Sequence, residues 1–244
     1  CLICYQILCH AQVADEHYYF KNLSVQNGLS QNTVNTILQD KQGFMWFGTK
    51  DGLNRYDGLS FRKFKHDDRS QRSIGNNFIT ALYEDEKGSI WVGTDVGLYI
   101  YYPEKDSFEH FTKQSVENTR IEHTVTAISG DNQGCVWMAV ESQGLFCYNK
   151  QAKQIKHFTS ANSQLPEGNV YEVSFDSTGK GWIATETGMC IYDPASQSLR
   201  SNVFPEGFVH RDKVRTIYED TGHDLYFIRE KGSLFTSTLT MDRF

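Results

Sequence analysis

No stretch of this 244-residue chain is apolar for long enough to cross a bilayer as a helix, so a spanning helix is excluded within it. No Lys/Arg-rich run is sustained and the net charge is −6, which removes the electrostatic footprint of a nucleic-acid binder. Zinc-type spacing is missing as well: of the six cysteines, Cys1, Cys4 and Cys9 crowd the first residues, and the remaining Cys135, Cys147 and Cys190 form no Cys-x-x-Cys and no paired Cys/His motif. No acid recurs with a base at a fixed offset, which argues against a glycosidase or lyase with a repeated catalytic pair. No cofactor motif stands out.

What the chain has is repetition. "GFMWFGTKDGLNRYDG" at Gly43 returns as "GSIWVGTDVGLYIYYP" at Gly88, "GCVWMAVESQGLFCYNK" at Gly134, "GKGWIATETGMCIYDP" at Gly179 and "GHDLYFIREKGSLFTST" at Gly222. All four tryptophans fall in register: Trp46, Trp91, Trp137 and Trp182 are 45, 46 and 45 residues apart, and Tyr226 follows 44 residues later. A period of this size indicates a solenoid or a propeller, and the content of each unit decides between them.

Each unit reads as strands. Upstream of the Trp lies a β-rich run closed by an acidic residue and Gly, as in "TVNTILQDKQG" and "FITALYEDEKG", with apolar residues alternating (Ile79 and Leu82, Val125 and Ile128). A second Gly, at 52, 97, 144, 188 and 232, marks a hairpin turn needing positive φ. After a third strand, segments such as "FRKF", "FEHF" and "IKHF" supply an outer fourth. Units of four strands and about 45 residues build β-propellers, in which each sheet packs face to face on the next. The fold class is therefore all-β, with five antiparallel blades at about 34–64, 79–111, 125–158, 170–200 and 214–244. Trp46, Trp91, Trp137, Trp182 and Tyr226 are assigned to the blade cores, since recurrence at one place per blade marks packing and not ligand stacking.

The ends carry further expectations. Residues 1–11, within "CLICYQILCHAQVADEH", resemble the rear of a secretory signal peptide cut after Ala11, the alternatives being a buried strand or a lipoprotein acylated at Cys1. Residues 12–33 hold an outer strand, with Phe20 and Leu23 placed like Phe61 and Phe64, which is expected to complete the last blade and clasp the ring. Phe244 stands twelve residues after Gly232, as Phe64 does after Gly52, so the fifth outer strand is expected to be cut short.

Blade geometry places loops 24–33, 65–77, 112–123, 159–169 and 205–212 on one face with the hairpin turns that follow each Trp strand. Sugars are held by planar polar side chains and charges beside an aromatic. The candidate ligand contacts on that face are Asn32, Lys50, Asp51, Asn77, Asp95, His123, Glu141, Glu186, His210 and Arg211. For Asn32 and Asn77, as for Asn169, turn capping is the competing role, and for the histidines a solvated loop. "KHDDRSQR" at 65–72 reads as a solvated loop of mixed charge. "SFDSTGKGW" at 174–182 is one residue longer than the sialidase Asp-box, itself a structural turn.

"VNTILQDKQGFMWFGTKDGLNRYDG", preceded by "NGLSQN", resembles the two-component regulator propeller repeat of hybrid two-component sensors in gut Bacteroidetes. The resemblance runs from residue 18 to about 235. Blades one and two match best; the third has Ala139 and Val140 for Gly-Thr, the fourth Ala184 and Met189, and the fifth lacks Trp. It implies a periplasmic sensor region of two seven-bladed propellers, followed by an immunoglobulin-like domain, a membrane helix, a histidine kinase, a receiver and a helix-turn-helix output domain. It further implies an oligosaccharide signal, control of transcription, a homodimer, and partners in the remaining blades and second propeller of the same chain. A generic scaffold propeller is the alternative.

Cys135 and Cys147 lie on the second and third strands of the third blade, equidistant from Glu141. Directly opposed residues in a hairpin approach within reach of a disulfide. The extra turn residue of this unit allows a shifted register, in which both cysteines, like Cys190, are packed thiols.

Overall fold

Alternating residues such as those of "VTAISG" bury one side of a strand, and a sheet of such strands needs a neighbour on each face. The computed structural model, which describes residues 20–111, 121–201, 213–229 and 234–238, stacks five sheets in chain order. Blade 1 is β1 (Val34–Gln39), β2 (Met45–Thr49), β3 (Gly52–Tyr56) and β4 (Phe61–Phe64); blade 2 is β5 (Ile79–Glu84), β6 (Ile90–Thr94), β7 (Gly97–Tyr102) and β8 (Ser107–His110). Blade 3 is β9 (Val125–Gly130), β10 (Cys135–Val140), β11 (Gly144–Asn149) and β12 (Gln154–Phe158); blade 4 is β13 (Val170–Phe175), β14 (Gly181–Thr185), β15 (Gly188–Asp193) and β16 (Ser198–Ser201). Blade 5 has three described strands, β17 (Val214–Glu219), β18 (Asp224–Arg229) and β19 (Leu234–Thr238). Every neighbouring pair within a sheet is antiparallel, and the hairpin glycines 52, 97, 144 and 188 all have positive φ. The fold is the β-propeller arrangement that the repeat period requires.

The acidic residue six positions before each Trp does more than close a turn. Asp40, Asp85, Asp131 and Asp176 each accept the indole N–H of Trp46, Trp91, Trp137 and Trp182, at 2.7, 3.2, 2.9 and 2.7 Å. The other carboxylate oxygen takes two backbone N–H groups of the turn, those of Gln42 and Phe44 in blade 1. In blade 5, Asp220 accepts the hydroxyl of Tyr226 at 2.9 Å, so Tyr fills the place of Trp with a different donor. Each Trp ring can therefore be fully buried without an orphaned N–H.

A bulge recurs at the second residue of every inner strand, where β1, β5, β9, β13 and β17 shift register against their partners. The bulged side chain reaches the next blade: Asn35 donates to the Ile79 carbonyl, Thr80 to Val125 and Thr126 to Val170, at 2.8, 2.7 and 2.7 Å. Tyr171 continues the series with its ring under Arg215, 4.4 Å away. Bulges re-aim side chains in this way. Here they tie the inner strands to one another around the central channel.

Between blades 1 and 2, Trp46 stacks on Phe64 at 5.7 Å while Tyr101 and Phe108 close the space. Arg55 lies over the rings of Phe44 and Trp46, and Arg62 pairs with Asp106 at 2.7 Å. Burial, then the hydrogen bond to Asp106, pushes the Tyr101 phenol up to about 12. Between blades 3 and 4, Trp137 packs on Phe158, Phe175 and Tyr192.

The expectations for the chain ends and the cysteines meet different outcomes. Residues 20–23 form no strand here; Phe20 is exposed, and Lys21 instead donates to the Tyr56 hydroxyl of blade 1 at 2.9 Å. An outer strand pairs with the third strand of a blade, and among the described residues no such strand lies beside this segment. Cys135 and Cys147 are not opposed: Cys135 pairs with Asn149 and Trp137 with Cys147, because the three-residue turn 141–143 moves the register by two. Both remain on one face as free thiols, as does Cys190. The leader at 1–11 and the end of the chain from 239 lie outside the described residues.

The two ends of the stack differ from its interior. Ile37 of blade 1 is 58% exposed, whereas its counterparts Ile128, Val173 and Ile217 are buried against a preceding blade. Tyr218 and Ile228 are exposed on the far side of blade 5.

Candidate functional site

Inner strands begin, and β2–β3-type hairpins turn, on the same face. The backbone N–H groups of Lys50, Asp95, Glu141 and Glu186 donate to the carbonyls of the residues just before the inner strand of their own blade, Thr33, Phe78, Thr124 and Asn169. These four candidates thus occupy one equivalent position in successive blades, around the channel mouth. Their side chains diverge in use. Lys50 is exposed, with its ammonium 6.0 Å from the Phe78 ring. Asp51 pairs with Lys65 at 2.6 Å. Asp95 keeps one buried carboxylate oxygen without a hydrogen-bond partner among the described residues. Glu141 and His123 are exposed. Asn32 accepts the Val25 N–H and Asn77 the His66 N–H, so both brace loops. His210 and Arg211 lie outside the described residues.

Around Glu186 the face deepens into a cup of about 390 Å³ between blades 3 and 4. Its polar lining includes Ser142, Gln143, Thr159, Ser160, Asn169 and Glu186, over Leu165 and Pro166. Glu186 accepts the Asn169 N–H at 3.2 Å, and Asn169 accepts the Ser142 N–H at 3.2 Å, so two loops are locked together across the cup. The side-chain oxygen of Gln143 is buried and accepts no hydrogen bond among the described residues. Among the described residues no Lys or Arg lines the cup. Such a wall offers hydrogen-bond acceptors and hydroxyls to a neutral, donor-rich ligand. Sequence reasoning passed over Gln143, although the extra turn residue of the third unit is the signal that places it.

A second cavity, of about 320 Å³, opens at the outer rim between blades 2 and 3 over Trp91, Phe111, Tyr102 and Tyr148. It exists because Ser89, Ile100 and Ile155 stand where Phe44, Arg55 and Phe108 fill the gap between blades 1 and 2. Lys150 spans it to Asp85 and Glu86. The hydrogen bond from Lys150 holds the Glu86 carboxyl below its ordinary range. In the channel wall, Glu172 accepts the Ile217 N–H at 3.1 Å, and burial raises its pKa. The loop-face carboxylates Asp95, Glu141 and Glu186 stand one per blade, which does not make the convergent pair that glycoside hydrolysis requires. "KHDDRSQR" is exposed and closes on itself through His66–Asp68 and Arg69–Asp67 contacts.

Residues 28–51 and 73–96 match the two component regulator propeller family. Over 60 residues the chain is 40% identical to Histidine kinase P4 of Formosa agariphila, a match covering 25% of this chain and 4% of that protein. In structure it is similar to the extracellular domain assigned to the hybrid two component system BT3049 of B. thetaiotaomicron, with 28% identity and a TM-score of 0.77 over 92% of this chain and 31% of the other. The corresponding domain of BT4673 from the same organism superposes with a TM-score of 0.66 at 22% identity, covering 84% of this chain and 27% of that one. The chain therefore spans less than a third of the length of each. No helix among the described residues is long and apolar enough to cross a membrane.

Proposed function

Because the chain carries two-component regulator propeller repeats, we propose that it forms part of the periplasmic sensor region of a hybrid two-component histidine kinase that controls transcription in response to an oligosaccharide. The observation behind the ligand class is the cup at blades 3 and 4: rich in hydroxyls and amides around the Glu186 carboxylate, and holding a Gln143 oxygen with no partner among the described residues. Ligand hydroxyls would donate to Gln143 and Glu186 and accept from Ser142 and Thr159. The remaining blades of the ring and a second propeller would cover the exposed sides of blades 1 and 5, within a homodimer. This segment itself performs no chemistry and binds no nucleic acid in that reading.

The test is calorimetric titration of the complete sensor region against a panel of glycan oligosaccharides, with Gln143→Ala and Glu186→Ala beside Tyr148→Ala in the rim groove. Loss of binding in the first two variants alone supports the cup. Loss only in Tyr148→Ala moves the site to the groove, and a panel without any binder favours the scaffold alternative.

A further inference from the structure

The register shift that separates Cys135 from a direct pairing with Cys147 leaves the two on neighbouring strands of one sheet face. Asp131 stands in the turn leading into β10. One ligating atom from each of the three, two sulfurs and a carboxylate oxygen, lies within 4.8 Å of the others. Blades 1, 2 and 4 have no counterpart: the places of Cys135 are held there by Phe44, Ser89 and Lys180, and those of Cys147 by Arg55, Ile100 and Ile191.

We propose that Asp131, Cys135 and Cys147 form a binding site for a thiophilic divalent cation of the zinc type. Tetrahedral ligation with Zn–S bonds of about 2.3 Å brings two sulfurs to about 3.8 Å, within reach of small rotations of the two thiol side chains. Asp131 has acceptor capacity left. Its Oδ1 takes the N–H groups of Gln133 and Cys135, and its Oδ2 takes the Trp137 indole, which leaves a lone pair on Oδ2. Those same bonds fix the carboxylate as outer partners fix a metal ligand. The thiols are buried while Asp131 is partly exposed, so the ion enters from the turn and keeps a water as fourth ligand. The nearest cation on the strand beside Cys147, Lys156, is held away by its bond to Gln197 at 2.7 Å. On binding, both S–H bonds break, two S–metal bonds form, and two protons leave to solvent.

The chain, kept reduced, is titrated with Co(II) as a spectroscopic probe. One equivalent should produce thiolate-to-cobalt charge transfer and the visible bands of a tetrahedral site, with two protons released. Cys135→Ser and Cys147→Ser should abolish the charge transfer, Cys190→Ser should leave it intact, and Asp131→Asn should weaken binding roughly tenfold or more. Cadmium NMR of the unaltered chain counts the sulfur ligands without relying on any variant's folding. Absence of charge transfer at one equivalent, a cadmium signal without two sulfurs, or unchanged binding in Cys147→Ser overturns the site.

Discussion

A single contact repeated five times carries much of this architecture. Each indole or phenol that fills a gap between blades gives its one polar hydrogen to the aspartate six residues earlier. In Asp176→Asn the shape is kept, but one carboxylate oxygen becomes an NH2 group, so while Oδ1 still accepts the Thr178 and Lys180 N–H groups the Trp182 indole loses its acceptor. Hydrogen bonds to charged groups are worth about 1.5–3 kcal/mol. Urea denaturation should show Asp176→Asn destabilised by about that amount, and Tyr226→Phe by less, about 1 kcal/mol. Glu172 gives a prediction of opposite sign. Its folded pKa is raised, so in the window between the ordinary glutamate value and that higher value the folded chain holds a proton the unfolded chain has lost. Stability therefore falls as pH rises through the window. Glu172→Gln, which keeps an acceptor for Ile217, should be more stable than the parent at neutral pH, with the gain vanishing below about pH 4. Thermal melts at several pH values check it, and a gain independent of pH would refute the assignment to this carboxyl.

At the scale of the strand, blade spacing depends on what the Trp strand presents two residues after its Trp. A Cβ built on Gly93 would lie 2.9 Å from the Cβ of Val125 and 3.1 Å from that of Ala81. Blades 3 and 4 accept Ala139 and Ala184 at this place with both fully buried, so the departures from Gly-Thr are compatible with the same stacking. Gly93→Val should cost about 1–3 kcal/mol by overpacking the gap between blades 2 and 3. Ala139→Gly should cost less than that, and denaturation midpoints compare the two. The inner-strand bulges act at this scale as well. Thr80→Val, which keeps the volume and removes the bond to Val125, should lose about 1 kcal/mol.

Across the whole molecule, five blades shield each other's faces and leave one face at each end of the stack. Exposed apolar sheet faces promote association. The chain by itself should self-associate in a concentration-dependent way through Ile37, Tyr218 and Ile228. Sedimentation of the double variant Ile37→Lys, Tyr218→Lys should show a shift toward monomer, and an unchanged profile would locate association elsewhere. The loop face should tolerate these substitutions, because the cup at Gln143 and Glu186 lies between blades 3 and 4, away from both ends.

Local sequence determined the blades. A 45-residue period, one Trp per unit and turn glycines at fixed offsets specify four strands and their order, since these signals act within a hairpin or between adjacent strands. The sequence also limited the candidate surface to one face, because strand direction alone decides where hairpin turns and inner-strand entrances meet. Contacts between units were decided only by tertiary structure. The Asp–Trp bond was hidden in what reads as a turn signal, and the role of Asn35, Thr80 and Thr126 depends on a bulge that has no residue signature. The register at 141–143 set Cys147 beside Trp137, not Cys135, through one extra residue whose effect was not legible without the hydrogen bonds. The cup and the rim groove are differences in side-chain volume between neighbouring gaps, Ser89 against Phe44 or a longer turn bearing Gln143. Such volumes become space only when consecutive blades, each a separately folded sheet, close on each other.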